Sequence, residues 1–175
     1  MNTRKLASPI GLLYISEHGG FITELRFLWE GAPKPLPYPF GDNLSNNDTP
    51  QRGVMYFGES SVNALDECES QLDAYFKKEL KEFCLPLKIA GTSFQLNVWK
   101  ALLTVPYGQT NSYKNLAIRI GNPKAVRAVG GANNKNPISI ILPCHRIIGS
   151  DGKLVGYGGG MDAKKYLLEL EKSSS

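Results

Sequence analysis

Ser112-Tyr113-Lys114-Asn115-Leu116-Ala117-Ile118-Arg119-Ile120-Gly121-Asn122-Pro123-Lys124-Ala125-Val126-Arg127-Ala128-Val129-Gly130-Gly131-Ala132-Asn133-Asn134 reads as two helices with a break between them. The first is predicted over Ser112 to Ile120. Gly121-Asn122-Pro123 stops it, because proline has no N–H for the helix ladder and biases the preceding residue away from helical backbone. The second runs from Lys124 to about Asn134, with Ala125, Val126, Ala128, Val129 and Ala132 beside the Gly130-Gly131 pair. Two short helices joined by a tight glycine-containing turn predict a helix-turn-helix. Just upstream, Thr92 and Gln95 have the spacing of a capping box, which opens a helix through Phe94, Val98, Trp99 and Leu102 that ends at Pro106-Tyr107-Gly108.

The charge pattern around this segment points to a polyanion. Gly91 to Ser150 holds seven bases (Lys100, Lys114, Arg119, Lys124, Arg127, Lys135 and Arg146) and no acid. Residues 1–90 hold 9 Lys and Arg against 12 Asp and Glu, a balance of −3, whereas residues 91–175 hold 11 against 4, a balance of +7. Phosphates repel carboxylates and gain from counterion release when Lys and Arg approach them, so nucleic acid is the expected partner. The whole chain has 175 residues, is 42% hydrophobic and carries a formal charge of +4, an ordinary globular composition. No stretch has the roughly 20 apolar residues of a membrane helix, and Met1 to Ser8 lacks the apolar core of a signal peptide. A soluble cytoplasmic protein is expected.

Toward the N-terminus, Leu12–Ser16 and Phe21–Phe27 are β-prone runs separated by Glu17-His18-Gly19-Gly20, a predicted hairpin. Pro33, Pro35, Pro37 and Pro39, followed by a polar run, predict an irregular connection over about residues 31–60. Between Ser61 and Phe83, the spacing of Leu65, Cys68, Leu72, Phe76, Leu80 and Phe83 predicts one helical face, which makes Cys68 a core residue. Cys84, just beyond it, reads as structural. Ile138-Ser139-Ile140-Ile141-Leu142 is a predicted buried strand ended by Pro143, Gly149 to Gly160 is a glycine-rich loop, and a last helix opens near Asp162 with Tyr166, Leu167, Leu170 and Glu171. The expected fold is mixed, α+β or α/β. An N-terminal domain over 1–90, a β-hairpin or sheet with a helix, precedes a mainly helical domain over 91–175 with the helix-turn-helix and a short active-site strand.

Chemistry concentrates in Pro143-Cys144-His145-Arg146. A neighbouring base and a positive charge favour a thiolate, which makes Cys144 a candidate nucleophile. Neighbours in extended chain point to opposite faces, so His145 reaches Cys144 only through the turn at Pro143 or through a water. A buried cysteine beside a surface histidine fits the same four residues. Three cysteines without C-x-x-C spacing predict free thiols and no metal site.

Phe94-Gln95 with Val98-Trp99, Pro106-Tyr107-Gly108, Ser112-Tyr113, Gly121-Asn122-Pro123, Arg127-Ala128-Val129-Gly130-Gly131-Ala132, Asn136-Pro137 and Pro143-Cys144-His145-Arg146 together resemble the O6-alkylguanine-DNA alkyltransferase family. The likeness runs from roughly Thr92 to Glu171; the first half resembles the variable N-terminal domain of bacterial members. The resemblance implies a repair protein that flips an alkylated guanine out of double-stranded DNA and moves the alkyl group irreversibly to its own cysteine, with no cofactor and no obligate protein partner, as a monomer. Cys144 would be the nucleophile, His145 its base through a water, and Glu171 the carboxylate that orients the imidazole. Without the resemblance, Glu171 reads as an exposed acid at a helix end and Asn136-Pro137 as a simple turn. Tyr113 would donate to the leaving purine. Asn136 would tie the helix-turn-helix to the active-site strand.

On the same footing, Ser112, Lys124, Arg127, Ala128, Gly130, Gly131, Ala132 and Asn133 would meet DNA from the minor groove, with Arg127 filling the space of the flipped nucleotide. Val155, Tyr157, Gly158 and Gly159, with Arg146, would line the alkyl pocket. Gly158 stands where animal members often carry serine, which opens the pocket toward larger alkyl groups or O4-alkylthymine. Asn133 stands where they have an apolar residue, and His18, Cys68 and Cys84 do not match their zinc set. An alkyltransferase-like damage sensor, which lacks the reactive cysteine, is the alternative, and Cys144, His145 and Glu171 argue against it. A transcriptional regulator would need a further DNA-binding module. A cysteine hydrolase leaves the basic segment unexplained.

Overall fold

The computed structural model describes residues 1–28 and 52–172. Strands β1 (Asn2–Ser8), β2 (Gly11–His18) and β3 (Phe21–Leu28) form an antiparallel meander in which the expected hairpin is β2–β3, closed by Gly19-Gly20. Its inward side chains, Leu13, Ile15, Ile22 and Leu25, are fully buried. β4 (Arg52–Phe57) and β5 (Leu87–Thr92) complete a five-stranded sheet in the order β1-β2-β3-β5-β4, with β5 parallel to β3 and antiparallel to β4.

Two of these strands correct the expectation from sequence. β4 lies inside the span assigned to irregular connection; its side chains alternate, Val54 and Tyr56 outward and Met55 and Phe57 partly inward. The proline run itself lies outside the described residues. β1 looks polar because it is a sheet edge with one face in water.

Helix α1 (Ala64–Phe76) packs on β1–β3, and Arg4 of β1 reaches its Asp66 and Glu69 at 2.7 and 2.6 Å. It is shorter than the predicted Ser61–Phe83 span. Lys78 adopts a left-handed backbone (φ 65°), which ends the helix, and Leu80 and Phe83 contact the core from irregular chain. Cys68 is buried as expected, whereas the Cys84 residue is exposed and holds the Gln71 side chain through its backbone N–H and C=O, at 2.8 Å each.

β5 leads directly into α2 (Ser93–Leu102). Thr92 closes the strand and caps the helix: its hydroxyl accepts from Gln95 N–H at 3.2 Å, while Gln95 Oε1 accepts from Thr92 N–H at 2.9 Å. The strand pair β6 (Asn111–Ser112) and β7 (Ile147–Ile148), then α3 (Tyr113–Arg119), α4 (Val126–Asn134) and α5 (Met161–Lys172) follow. α3 and α4 pack on α2, where Trp99 Nε1–H donates to Ala132 O at 2.9 Å.

The segment Ile138–Leu142 is buried but is not the strand expected there. β3 offers it one residue: Leu25 N–H donates to Pro137 O (2.9 Å) and Ser139 N–H to Leu25 O (2.8 Å). The backbone then turns at Ile140, at φ 73°, a conformation that costs a β-branched residue free energy and recurs at functional sites. No described helix is long and apolar enough to cross a membrane.

A Cβ at Gly91 would stand 2.6 Å from Trp99 Cζ3 and 3.1 Å from the capping Gln95 Oε1. Gly91→Ala is therefore expected to cost about 1–3 kcal/mol in urea unfolding; an unchanged midpoint would contradict this close approach.

Candidate active site and nucleic-acid interface

Proline chemistry sets the position of Cys144. Pro143 (φ −79°, ψ 62°) forms an inverse γ-turn in which Cys144 N–H donates to Leu142 O at 2.7 Å. A 3-10 turn over Cys144–Arg146 follows. Asn136 fixes the thiol: its Oδ1 accepts from Ile138 N–H (3.0 Å), which leaves Nδ2 to donate to Leu142 O (2.8 Å) and to Cys144 Sγ (3.0 Å). Burial pushes the Cys144 thiol up to about 11, partly offset by the Asn136 hydrogen bond and the Lys164 cation. At neutral pH the sulfur therefore carries its proton, and a thiolate requires a base.

His145 is fully buried and faces Glu171, with Nε2 2.8 Å from Oε1. Facing a carboxylate, Nε2 carries the proton and donates it. Nδ1 is buried with no hydrogen-bond partner among the described residues, which leaves it as an acceptor in the interior. Burial, Arg146 and Lys164 lower the imidazole's basicity more than Glu171 raises it, so His145 rests neutral.

Glu171 is 1% exposed, the opposite of the exposed helix-end acid that its position suggests. Oε1 accepts from Tyr75 Oη (2.7 Å), His145 Nε2 (2.8 Å) and Arg146 Nη2 (3.0 Å); Oε2 accepts from Arg146 Nε (2.9 Å) and Gly108 N–H (3.0 Å). Burial alone would raise this carboxyl, but the hydrogen bond from His145 and then the hydrogen bonds and charge of Arg146 hold it at about 2. Arg146 is thereby taken out of the substrate pocket where it was expected. Its Nη1 donates to Val105 O at 2.7 Å, and its guanidinium lies over the Tyr107 ring.

Three further polar groups belong to this site that local sequence does not mark: Tyr75, the Gly108 amide and Lys164. Lys164 is fully buried, and its Nζ donates to Ile147 O (2.6 Å) and Val155 O (2.9 Å). Burial lowers its pKa to about 8. The signal was present, since Ala163, Lys164, Leu167, Leu170 and Glu171 share one buried helical face. Tyr75 likewise continues Ala64, Cys68 and Leu72.

Tyr113 begins α3 with Ser112 as its N-cap (Asn115 N–H to Ser112 Oγ, 3.0 Å) and donates from its hydroxyl to Val155 O at 3.1 Å. Burial raises the phenol's pKa, so it stays a donor. Ser112 and Lys114 line an open groove of about 530 Å³ with Asn115 and Ser150. On α4 and the turn before it, Lys124, Arg127, Ala128 and Gly131 are exposed, and Gly130 sits against the Tyr113 ring. Two members of the expected DNA face point inward instead. Ala132 is buried under Trp99, and Asn133, 2% exposed, donates to Cys144 O at 3.3 Å.

The Val155–Gly159 loop meets the site through Tyr157. Tyr157 stands edge-on to Phe27 and His145, with ring centroids 5.8 and 6.5 Å away. A Cβ at Gly159 would fall 2.5 Å from the Phe27 ring, whereas one at Gly158 would meet only Asn134 O at 3.8 Å.

Comparison with known proteins gives a consistent set of likenesses. Residues 1–89 match the family model described as "6-O-methylguanine DNA methyltransferase, ribonuclease-like domain", and residues 93–173 the one described as "6-O-methylguanine DNA methyltransferase, DNA binding domain". The chain is 46% identical over 172 residues to the methylated-DNA–protein-cysteine methyltransferase of Mycobacterium leprae, covering 98% of this chain and 93% of that one. It is 49% identical over 170 residues to the Mycobacterium bovis protein of the same name, covering 97% and 92%. The crystal structure of Mycobacterium tuberculosis O6-methylguanine methyltransferase superposes with a TM-score of 0.79 at 46% identity, covering 99% of this chain and 93% of that one. That of Mycobacterium tuberculosis OGT in complex with DNA does so with 0.79 at 45%, covering 99% and 94%.

Because the Glu171 carboxyl is held below its ordinary 4.5, its contribution to stability is complete above that value and is lost as pH falls toward 2. The stability gap between wild type and Glu171→Gln, read from urea midpoints, is expected to be constant above about pH 5 and to narrow in acid. A gap that keeps its size to pH 3 would contradict the assignment.

Proposed function

The chain belongs to the 6-O-methylguanine DNA methyltransferase family, and we propose that Cys144 is the cysteine to which it transfers the alkyl group of an O6-alkylguanine in DNA. The protein is a methylated-DNA–protein-cysteine methyltransferase and acts in DNA repair. Cys144 Sγ displaces the purine oxygen from the alkyl carbon: the S–C bond forms as the C–O6 bond breaks. The thiol proton passes through a water to His145 Nδ1, and Tyr113 donates to the departing guanine. Glu171 then faces an imidazolium, whose charge it stabilises. The thioether cannot return the alkyl group, so each molecule reacts once.

The observation that carries this reading is the placement in one buried turn of a thiol held by Asn136 and an imidazole whose Nδ1 has no hydrogen-bond partner among the described residues. Asn136 orients the sulfur. In this reading, residues 1–90 support a transfer and DNA-binding domain over 91–175. Arg127, with Lys124, Ala128, Gly130 and Gly131, docks in the minor groove, where a helix of small side chains approaches the backbone closely and the arginine replaces the flipped nucleotide. Ser112 contributes from the edge of the neighbouring groove. Val155, Tyr157, Gly158 and Gly159 form the alkyl pocket, and the space beside Gly158 admits groups larger than methyl and O4-alkylthymine. With base and nucleophile in one chain, the protein works as a monomer in the cytoplasm, without cofactor, metal or protein partner.

Two variants separate the roles. Cys144→Ala is expected to bind a duplex carrying O6-methylguanine while transferring nothing. Arg127→Ala is expected to bind that duplex roughly tenfold or more weakly yet still react with free O6-benzylguanine. Equal loss of both activities in both variants, by gel shift and transfer assay, would contradict the division.

A further inference from the structure

We propose that Tyr75, on the N-terminal helix α1, is a positioning residue for alkyl transfer: its hydroxyl donates to the same Glu171 oxygen that holds His145 and limits how much of the carboxylate's charge the imidazole feels. The proposal rests on the reading of His145 as the base for Cys144. Tyr75 is fully buried and reaches Glu171 from 96 residues away in the sequence, at 2.7 Å. Its ring is held by three aromatic neighbours, edge-on to Phe76 and Tyr107 and tilted against Phe83, with centroids 5.5, 6.0 and 5.3 Å away. The hydroxyl is therefore fixed, and burial beside Glu171 keeps it protonated far above its ordinary range, so it remains a donor at every working pH.

Oε1 of Glu171 is shared. Tyr75, His145 and Arg146 Nη2 all donate to it, within 3.0 Å. Each donor stabilises the carboxylate's charge and makes the shared oxygen a weaker base, so the other donors lessen its pull on the His145 proton. The charged and titratable groups around His145 act in opposite senses. Glu171, from α5, favours the imidazolium; Arg146 from the 3-10 turn and Lys164 from α5 disfavour it. Cys144 precedes it in the turn, and Tyr157 faces its ring from the glycine-rich loop. Tyr75, acting through Glu171, works in the same direction as the two cations. It helps keep His145 neutral and able to take the thiol proton, and it gives the N-terminal sheet and helix a part in the chemistry beyond scaffolding.

Tyr75→Phe removes the hydroxyl and retains the ring. The readout is the single-turnover rate of transfer from an O6-methylguanine duplex across pH 5 to 9, with thermal melting as a check on folding. The acid limb reports protonation of His145. In Tyr75→Phe it is expected to move to higher pH by at least about half a unit, because an undiluted carboxylate makes the imidazole more basic. Tyr75→Leu, a second side chain without a hydroxyl, is expected to move it in the same direction if the ring-retaining variant does not fold. Tyr107→Phe, which removes a buried hydroxyl from the same aromatic cluster without touching Glu171, is expected to leave the limb in place. A rate lowered by one factor at every pH, or an unmoved limb, in a folded Tyr75 variant would overturn the proposal while leaving the transfer reaction standing. A wild-type protein that takes up no alkyl group would overturn the underlying reading and this inference with it.

Discussion

Glu171 carries a negative charge into the protein interior, and the arrangement around it keeps that charge tolerable. An isolated buried carboxylate is costly enough that it takes up a proton instead. Here donors from several parts of the chain converge on it: Tyr75 of α1, the Gly108 amide after α2, and His145 and Arg146 of the 3-10 turn. Arg146 is the partner whose guanidinium meets both oxygens. The same carboxylate joins the N-terminal helix, the active-site turn and the last helix, so it organises the fold and the site together.

The electrostatic state of the reacting groups follows from that arrangement. A carboxylate saturated with donors is a weak base and a strong orienter. It fixes the imidazole without drawing a second proton onto it, and the nearby cations of Arg146 and Lys164 reinforce the neutral form. Cys144 shares the buried setting and keeps its proton. Burial thus favours thiol and neutral imidazole in the resting site, and in the proposed reaction charge separates only when an alkyl carbon is in place to accept the sulfur. That order suits a protein whose single reaction consumes it, since a standing thiolate would react with any electrophile that reached it.

Signals that act within a few residues are legible in the sequence, and signals that depend on distant chain are not. Thr92 with Gln95, Ser112, and the break at Gly121-Asn122-Pro123 act within a few residues, and they mark the helices to within a few positions. Ile138–Leu142 looked like a strand because it is apolar and β-branched. It is buried, but pairing partners decide strands, and β3 lends it one residue before the chain turns at Ile140. β1 and β4 were hidden for the reverse reason: edge strands alternate and look like polar connection. At the site, Pro143-Cys144-His145-Arg146 is legible as chemistry, but nothing local shows that Glu171 claims Arg146 and draws it out of the expected substrate pocket. Lys164 and Glu171 share the apolar stripe of α5 and Tyr75 that of α1, yet Glu171 by itself reads as an exposed acid, and its partnership with Tyr75 exists only in the folded chain.

The central claim is that Cys144 accepts the alkyl group while its neighbours hold it ready. Intact mass and peptide mapping after incubation with a duplex carrying one O6-methylguanine, against the undamaged duplex, test it most directly. The account predicts a gain of one methylene mass, located on Cys144 and absent from Cys68 and Cys84. Tight binding to the damaged duplex with no gain in mass, or a gain on another residue, would contradict it.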